Sequence, residues 1–122
     1  MLDANATPDN PFVKEPDPVL VAVKADSNKV RMELLSPFAL EKIAEVFTFG
    51  AKKYSDYNYR KGQGLALSRV YGSLQRHMNS WYKGEVCDAE TGLSHLYHAG
   101  CCIVMLIELD SKEDHIDDRP KI

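Results

Sequence analysis

The segment from residue 93 to residue 110 is apolar on nearly every side of a helix, and it constrains the fold more than any other part of the chain. Such a helix belongs at the centre of a bundle or at a subunit interface. The segment also carries His95 and His98, which lie on one side of a helix because they are three positions apart. A buried imidazole needs hydrogen bonds or a metal ion, so this pair marks a candidate site.

Two further segments have helical periodicity. The first begins at Ser36, which is placed to cap it, and Pro37 suits its first turn. Gly50 lies inside this pattern, where glycine lowers helix stability, and we expect it to permit a close approach of neighbouring backbone. The second runs from about residue 65 to 83 and carries His77 on its apolar side, with Tyr71, Met78 and Trp81 among the other side chains there.

The sequence therefore predicts an all-α fold, a small bundle of three main helices. Three helices would cover the central one poorly, so we expect a homo-oligomer, a dimer or a tetramer, to complete it. Residues 1–28 hold four of the six prolines and are predicted to be an irregular arm, with a short extended piece at "PVLVAVK". Residues 29–122 would form the helical domain.

Composition limits the cellular setting. The longest apolar run is far shorter than the ~20 residues of a membrane helix, and the acidic, polar N-terminus differs from a signal peptide. We therefore expect no membrane partner. Three cysteines, two of them adjacent, do not suggest a disulfide framework and favour a reducing cytoplasm; Cys101 and Cys102 fit small buried apolar positions. We expect His115, in the polar tail, to be exposed.

The candidate metal site combines histidines of the second and third helices with acids of the loop between them. If these helices pack antiparallel, all of them converge where the loop turns. Oxygen ligands suit Mg²⁺ and Mn²⁺, and more imidazole favours softer ions such as Co²⁺ or Zn²⁺. The alternative is a set of core histidines bonded to carbonyl or carboxylate groups. The proposed metal ligands are His77, His95, His98 and Asp88, and the candidate catalytic carboxylates are Glu85 and Asp88.

A basic stretch suggests where an anion would bind. Residues 52–83 hold seven Lys and Arg residues against one acid, within a chain of net charge −3. This favours a local anionic ligand over a long nucleic acid, with a solvated charged surface as the alternative. The chain has no Walker loop, so phosphate contacts must come from side chains. The candidates are Lys52, Lys53, Arg69 and Arg76 for phosphate, and Tyr54, Asn58 and Trp81 for base and sugar.

Glu41 and Glu45 form a second candidate metal-binding pair, because they are four positions apart and therefore lie on one face of the first helix. That spacing can chelate a metal ion. Solvated surface acids are the alternative, and we favour it.

Three segments carry a family resemblance: "KVRMELLSPFALEKIAEVFTFGAKKYSDYNY", "SRVYGSLQRHMNSWYKGEVCDAETGLSHLYHAG" and "DDRP". They resemble the N-terminal domains of phage and bacterial dATP/dGTP diphosphohydrolases, which are related to the MazG-like all-α nucleotide pyrophosphohydrolases. The resemblance implies hydrolysis of dGTP or dATP to the monophosphate and pyrophosphate with a divalent metal, in the host cytoplasm if the chain is phage-encoded. Where those enzymes carry acidic clusters, this sequence has Arg76-His77 and the His95/His98 pair.

Two alternatives to an enzyme remain open. A non-catalytic nucleotide-binding protein, for instance a phage sponge for a signalling nucleotide, would keep the basic stretch and the aromatic residues but need no metal. A purely structural helical oligomer would use the histidines for stability alone.

Overall fold

The computed structural model describes residues 21–122, and three α-helices account for most of their regular structure. We number them in chain order: α1 spans Pro37–Lys53, α2 spans Leu67–Tyr82 and α3 spans His95–Ser111. Two short 3₁₀ helices, Met32–Leu34 and Asn58–Arg60, precede α1 and α2. Within residues 21–122 there is no β-strand, only an isolated bridge between Cys87 and Ser94. The predicted all-α bundle of three main helices is confirmed.

Residues 35–122 form one compact unit. In the described part of the preceding segment, Arg31 pairs with Glu33 at 2.9 Å beside the first 3₁₀ helix. Most of the predicted irregular arm, including the start of the extended piece at "PVLVAVK", lies outside the described residues. Residues 21–24, the end of that piece, have no regular secondary structure. In the part of the chain that the structure describes, no helix is long and apolar enough to cross a membrane.

Helix α1 begins as its sequence predicts. The Ser36 hydroxyl accepts a hydrogen bond from the Ala39 N–H at 3.1 Å, and Pro37 occupies the first turn, where its missing N–H costs nothing. The helix ends where the Tyr54 N–H donates to the Gly50 carbonyl at 2.8 Å. Local capping chemistry therefore fixes where α1 starts, and the predicted start is confirmed.

Helix α3 lies between α1 and α2 and packs against both. Helix α3 approaches α1 closely at Gly100, where a Cβ would lie 2.9 Å from the Ile43 side chain. On the α2 side, Leu109 is fully buried in the main core. That core consists of Tyr59, Leu67, Val70, Cys102 and Leu109. The central position predicted for α3 is thus confirmed. The side of α3 that neither α1 nor α2 covers is exposed, and it carries Leu96, Ile103, Val104 and Ile107.

The predicted close approach at Gly50 is wrong, because a Cβ at this position would meet no atom within 4 Å. The glycine that α1 and α3 require is Gly100. Sequence periodicity cannot tell these cases apart, since the distance between two helices depends on where they cross.

The apolar side of α2 is also less covered than its periodicity predicts. Tyr71, Met78 and Trp81 are exposed, because α3 reaches only part of that side and α1 has few contacts with α2.

The C-terminal tail supplies the cap that α2 lacks in its own sequence. Ala66 precedes α2 and has no side chain that could accept a hydrogen bond. Instead, the Asp118 carboxylate accepts hydrogen bonds from the Ser68 N–H at 2.9 Å and from the Ser68 hydroxyl. The Leu67 N–H donates to the Ile116 carbonyl at 3.1 Å. His115, predicted to be exposed, is half-buried because this tail folds back, and its ring bonds the Lys112 carbonyl.

Candidate functional site

The loop from residue 84 to 94 forms a tight turn that brings α3 back along α2. Gly84 ends α2 with a positive φ of 103°, a conformation that favours glycine. Asp88 then exchanges backbone hydrogen bonds with Leu93 and Gly92, both at 2.8 Å. The His95 N–H donates to the Val86 carbonyl at 2.8 Å, which fixes the start of α3. The loop is therefore held by its own backbone and places the first turn of α3 beside the last turns of α2.

His77 and His95 meet across this junction. Their Nδ1 atoms are 2.9 Å apart, and His95 is buried, with 4% of its surface exposed. The other ring nitrogen of His95, Nε2, lies 2.8 Å from a carboxylate oxygen of Glu85. If the neutral His95 ring donates its Nε2–H to Glu85, its Nδ1 carries a lone pair and His77 is the donor. Glu85 thus orients His95 so that its Nδ1 faces His77.

His98 completes the cluster by stacking. Its ring lies 4.5 Å from the His77 ring at an interplanar angle of 12°. Its Nε2 is 2.7 Å from the Thr91 hydroxyl, which also accepts a hydrogen bond from the Leu93 N–H at 3.1 Å. The three histidines therefore come together as the sequence predicts, but the Nε2 of His98 is directed to the loop rather than to the other two rings.

Burial sets the charge state of two of the three rings, those of His77 and His98. Burial, followed by the neighbouring His98, lowers the pKa of His77 below its usual 6.5. Burial also lowers the pKa of His98. The negative charge of Asp88 raises this pKa in part, and the neighbouring His95 lowers it further. Both rings are thus mainly neutral at pH 7, the form that binds metal ions.

Asp88 is prepared as an anion. Burial alone would raise its pKa, but hydrogen bonds from the Thr91 and Glu90 N–H groups outweigh burial and lower it. The N–H distances to Oδ1 are 3.1 Å from Thr91 and 2.9 Å from Glu90. A carboxylate held this way is a good ligand and a weak base.

Three of the four proposed metal ligands form a compact donor group. One ligand atom each from His77, Asp88 and His95 lies within 4.8 Å of the other two. Two imidazoles and a carboxylate are a reasonable donor set for a divalent transition ion, and the Glu85 contact to His95 is the usual outer-sphere support. The residues present therefore fit a metal ion. His98 lies outside this group.

A cleft of about 660 Å³ opens beside the cluster, with walls from α1 and α2 and a floor from α3. Its volume is within the range of small-molecule sites. His77 and His98 line it, whereas His95, Asp88 and Glu85 do not. Of the phosphate and base candidates, those lining the cleft are Lys53, Arg69, Arg76, Tyr54 and Asn58.

Two predicted contact residues are absent from the lining, Lys52 and Trp81. Lys52 is exposed near the end of α1. Trp81 is 39% exposed, and its ring centroid lies 6.5 Å from that of Tyr82.

The basic side chains that line the cleft differ in whether they already form a salt bridge. Lys53 Nζ pairs with Glu90 at 2.7 Å, and this hydrogen bond raises the lysine pKa. Within the described residues, no salt bridge involves Arg69 or Arg76. The Arg76 charge is close enough to contribute to the lowered pKa of His77. The two arginines are therefore the groups best placed to bind phosphate.

Sequence reasoning missed Glu90 and Thr91. Thr91 fixes His98, and Glu90 neutralises Lys53. The Asp-x-x-Thr spacing from Asp88 to Thr91 is a turn signal that could have pointed to this loop. The alternative acidic pair, Glu41 and Glu45, lies on a shallow groove of α1 apart from the cleft, and Glu45 pairs with Lys42 at 3.1 Å.

The fold and site describe an all-α bundle with a cationic cleft beside a histidine–carboxylate cluster. The family model for the N-terminal region of dATP/dGTP diphosphohydrolases matches residues 22–119, so the chain belongs to that family. A dATP/dGTP diphosphohydrolase of Salmonella phage PMBT28 is 31% identical over 100 residues, which are 82% of this chain and 33% of that relative. The chain thus spans about a third of the relative's length. No solved structure matches it.

Proposed function

We propose that this chain binds a purine deoxynucleoside triphosphate, dGTP or dATP, in the cleft and hydrolyses it to the monophosphate and pyrophosphate with a divalent metal ion. Family membership and the name of the phage relative support the reaction class. The observation that carries the proposal is the position of His77. It belongs to the candidate metal group, lines the cleft and directly follows Arg76, so an ion and a phosphate could meet there.

We assign phosphate binding and metal binding to separate groups of side chains. Arg69 and Arg76 bind phosphate oxygens and stabilise the charge of the leaving pyrophosphate. His77, His95 and Asp88 would hold the ion, which could be Mg²⁺, Mn²⁺, Co²⁺ or Zn²⁺. Such an ion would supply Lewis-acid polarisation of the phosphate and would lower the pKa of a water molecule.

The remaining roles are a base and ligand positioning. Glu85 is the candidate base for the attacking water, since the lowered pKa of Asp88 suits a ligand better. The Glu85 side chain is 59% exposed, so water can reach its carboxylate. Tyr54 and Asn58, which line the cleft at and just after the C-terminal end of α1, would contact base and sugar.

The direct test is incubation of the protein with each deoxynucleoside triphosphate and each of the four metal ions. We expect the monophosphate and pyrophosphate, with purines favoured. Arg69→Gln should raise KM, whereas Lys52→Gln is the matched control because Lys52 does not line the cleft. Absence of turnover with every ion would overturn the enzymatic proposal.

A nucleotide-binding protein without catalysis is the second candidate. One observation favours it: the histidines satisfy one another without an ion, through the His77–His95, His95–Glu85 and His98–Thr91 hydrogen bonds. Calorimetry in EDTA decides between the two. A nucleotide sponge would bind the nucleotide without metal and release it unchanged, whereas the enzyme would need metal for turnover. A purely structural role for the cluster predicts that His77→Ala lowers stability and leaves nucleotide affinity unchanged.

A further inference from the structure

Gly50 has no structural explanation in the fold. It lies in the last turn of α1, where glycine lowers helix stability because it adds backbone freedom to the unfolded chain. Its φ is not positive, so no turn requires it. A Cβ at this position would meet no atom within 4 Å, so no neighbouring element requires it either. Gly100 differs in this respect, because a Cβ there would press on Ile43.

What Gly50 does border is the cleft. It lines the α1 wall, with the neighbouring Ala51 and with Tyr54 one turn further on. This wall is apolar and aromatic apart from Lys53, whose charge Glu90 neutralises. The opposite wall carries Arg69 and Arg76. The two walls thus differ in chemistry, and a ligand with an anionic end and a planar apolar end would place its ring system on the α1 side.

We infer that Gly50 is a specificity-determining residue: its missing side chain leaves room in the cleft for the base and sugar of the bound nucleotide. This inference rests on the proposed function. The cleft-lining residues of α1 and its C-cap include Val46 and Lys53 to one side of position 50 around the helix, and Phe47 and Tyr54 to the other. Position 50 therefore lies within the face of α1 that lines the cleft. Because no atom lies within 4 Å of a Cβ there, a side chain at this position would project into the cleft. Such a substitution would reduce the space for the base and sugar of the ligand, while the phosphate end would still reach Arg69 and Arg76.

The test compares stability with the affinity for two ligands. Gly50→Ala and Gly50→Leu introduce better helix formers, so we expect an unchanged or higher thermal midpoint. We expect the affinity for a deoxynucleoside triphosphate to fall with side-chain size, by about tenfold or more for Gly50→Leu. Inorganic tripolyphosphate, which has no base or sugar, should bind all three proteins equally. Opposite effects on stability and nucleotide affinity cannot arise from a role in packing.

Thr48→Ala is the matched control. Thr48 lies on the outer groove of α1 and its hydroxyl donates to the Ala44 carbonyl, so alanine improves helix propensity without reaching the cleft. It should leave both affinities unchanged. If the wild type binds nucleotide and Gly50→Leu binds it equally well, or loses tripolyphosphate in parallel, the inference is wrong. If the wild type binds no nucleotide, the proposed function fails, and the inference fails with it.

Discussion

His77 and His95 lie with their Nδ1 atoms 2.9 Å apart although 18 positions separate them in the chain. The distance results from the antiparallel packing of α2 and α3 and from the tight turn between them. Glu85, in that turn, reaches the far side of the His95 ring. The same turn therefore brings the rings together and orients one of them.

Glu85→Gln should weaken metal binding. The substitution keeps the size of the side chain but removes the charge that supports His95, and outer-sphere changes of this kind cost about 10–100-fold in metal affinity. Calorimetric titration with Mn²⁺ or Co²⁺ measures the effect, with Glu113→Gln in the C-terminal tail as the control. If Glu85 is also the base, kcat stays low at saturating metal. An affinity equal to that of the wild type would exclude the orienting role.

The metal-free protein should lose stability as the pH falls below about 6.5. The pKa values of His77 and His98 are lowered in the folded state, so the unfolded chain takes up protons first as the pH decreases. Their contribution is complete above the unfolded pKa and is lost as the pH falls through the folded values. Buried and hydrogen-bonded carboxylates act only at lower pH.

Thermal unfolding in EDTA between pH 7 and pH 5 checks this dependence. His77→Asn should flatten the curve in that window, because it removes one of the two rings whose pKa burial lowers. A wild-type midpoint that does not change with pH would contradict the buried, neutral state of the rings.

Gly64→Ala should destabilise the fold by about 2–4 kcal/mol. Gly64 has a positive φ of 84°, and a Cβ there would overlap the Leu109 side chain and lie 3.0 Å from the Tyr59 carbonyl oxygen. Gly62→Ala is the matched control, because Gly62 also has a positive φ but nothing within 4 Å, and it should cost only about 1 kcal/mol. Urea unfolding of both variants gives the two values. If Gly64→Ala and Gly62→Ala lowered the free energy of unfolding by the same amount, the predicted overlap with the Leu109 side chain would be contradicted.

Tyr59 should ionise at a higher pH than the usual tyrosine pKa of 10.0. Burial, followed by the hydrogen bond from its hydroxyl to Glu108, raises its pKa to about 12. Ultraviolet absorbance of tyrosinate during an alkaline titration should show a late step that Tyr59→Phe removes. Because the folded pKa lies above the unfolded one, the stability from this group is complete below pH 10 and decreases as the pH rises towards 12. If Tyr59→Phe instead removed a step near pH 10.0 while the protein is folded, the raised pKa of Tyr59 would be contradicted.

The self-association that the sequence predicts stays a prediction. Four exposed side chains on one side of α3 offer the surface for it: Leu96, Ile103, Val104 and Ile107. Sedimentation velocity should give a dimer or tetramer for the wild type, and Ile107→Lys, at the most exposed of these positions, should shift it towards the monomer. A wild-type monomer at high concentration would contradict the prediction.

Helix-face reasoning accounts for most of the site. The apolar period of α2 placed His77 towards α3, and the three-residue spacing of His95 and His98 placed both on one side of α3. Their meeting follows from two facing helices with a short loop. The contact between Lys53 and Glu90 was not predictable in this way, because it joins α1 to a loop 37 positions away. Lys52 and Lys53 are equivalent in sequence, and only the rotation of α1 places one of them in the cleft.

The three helices, the capped start of α1 and the central place of α3 could all be predicted from the amino-acid sequence. These depend on spacing along one segment, which capping groups and apolar periods report directly. Two contacts became visible only in the folded chain: Gly100 rather than Gly50 lies where two helices approach, and Asp118 caps α2 from the far end of the chain. Such contacts depend on where helices cross and where the tail returns, and no local pattern encodes either.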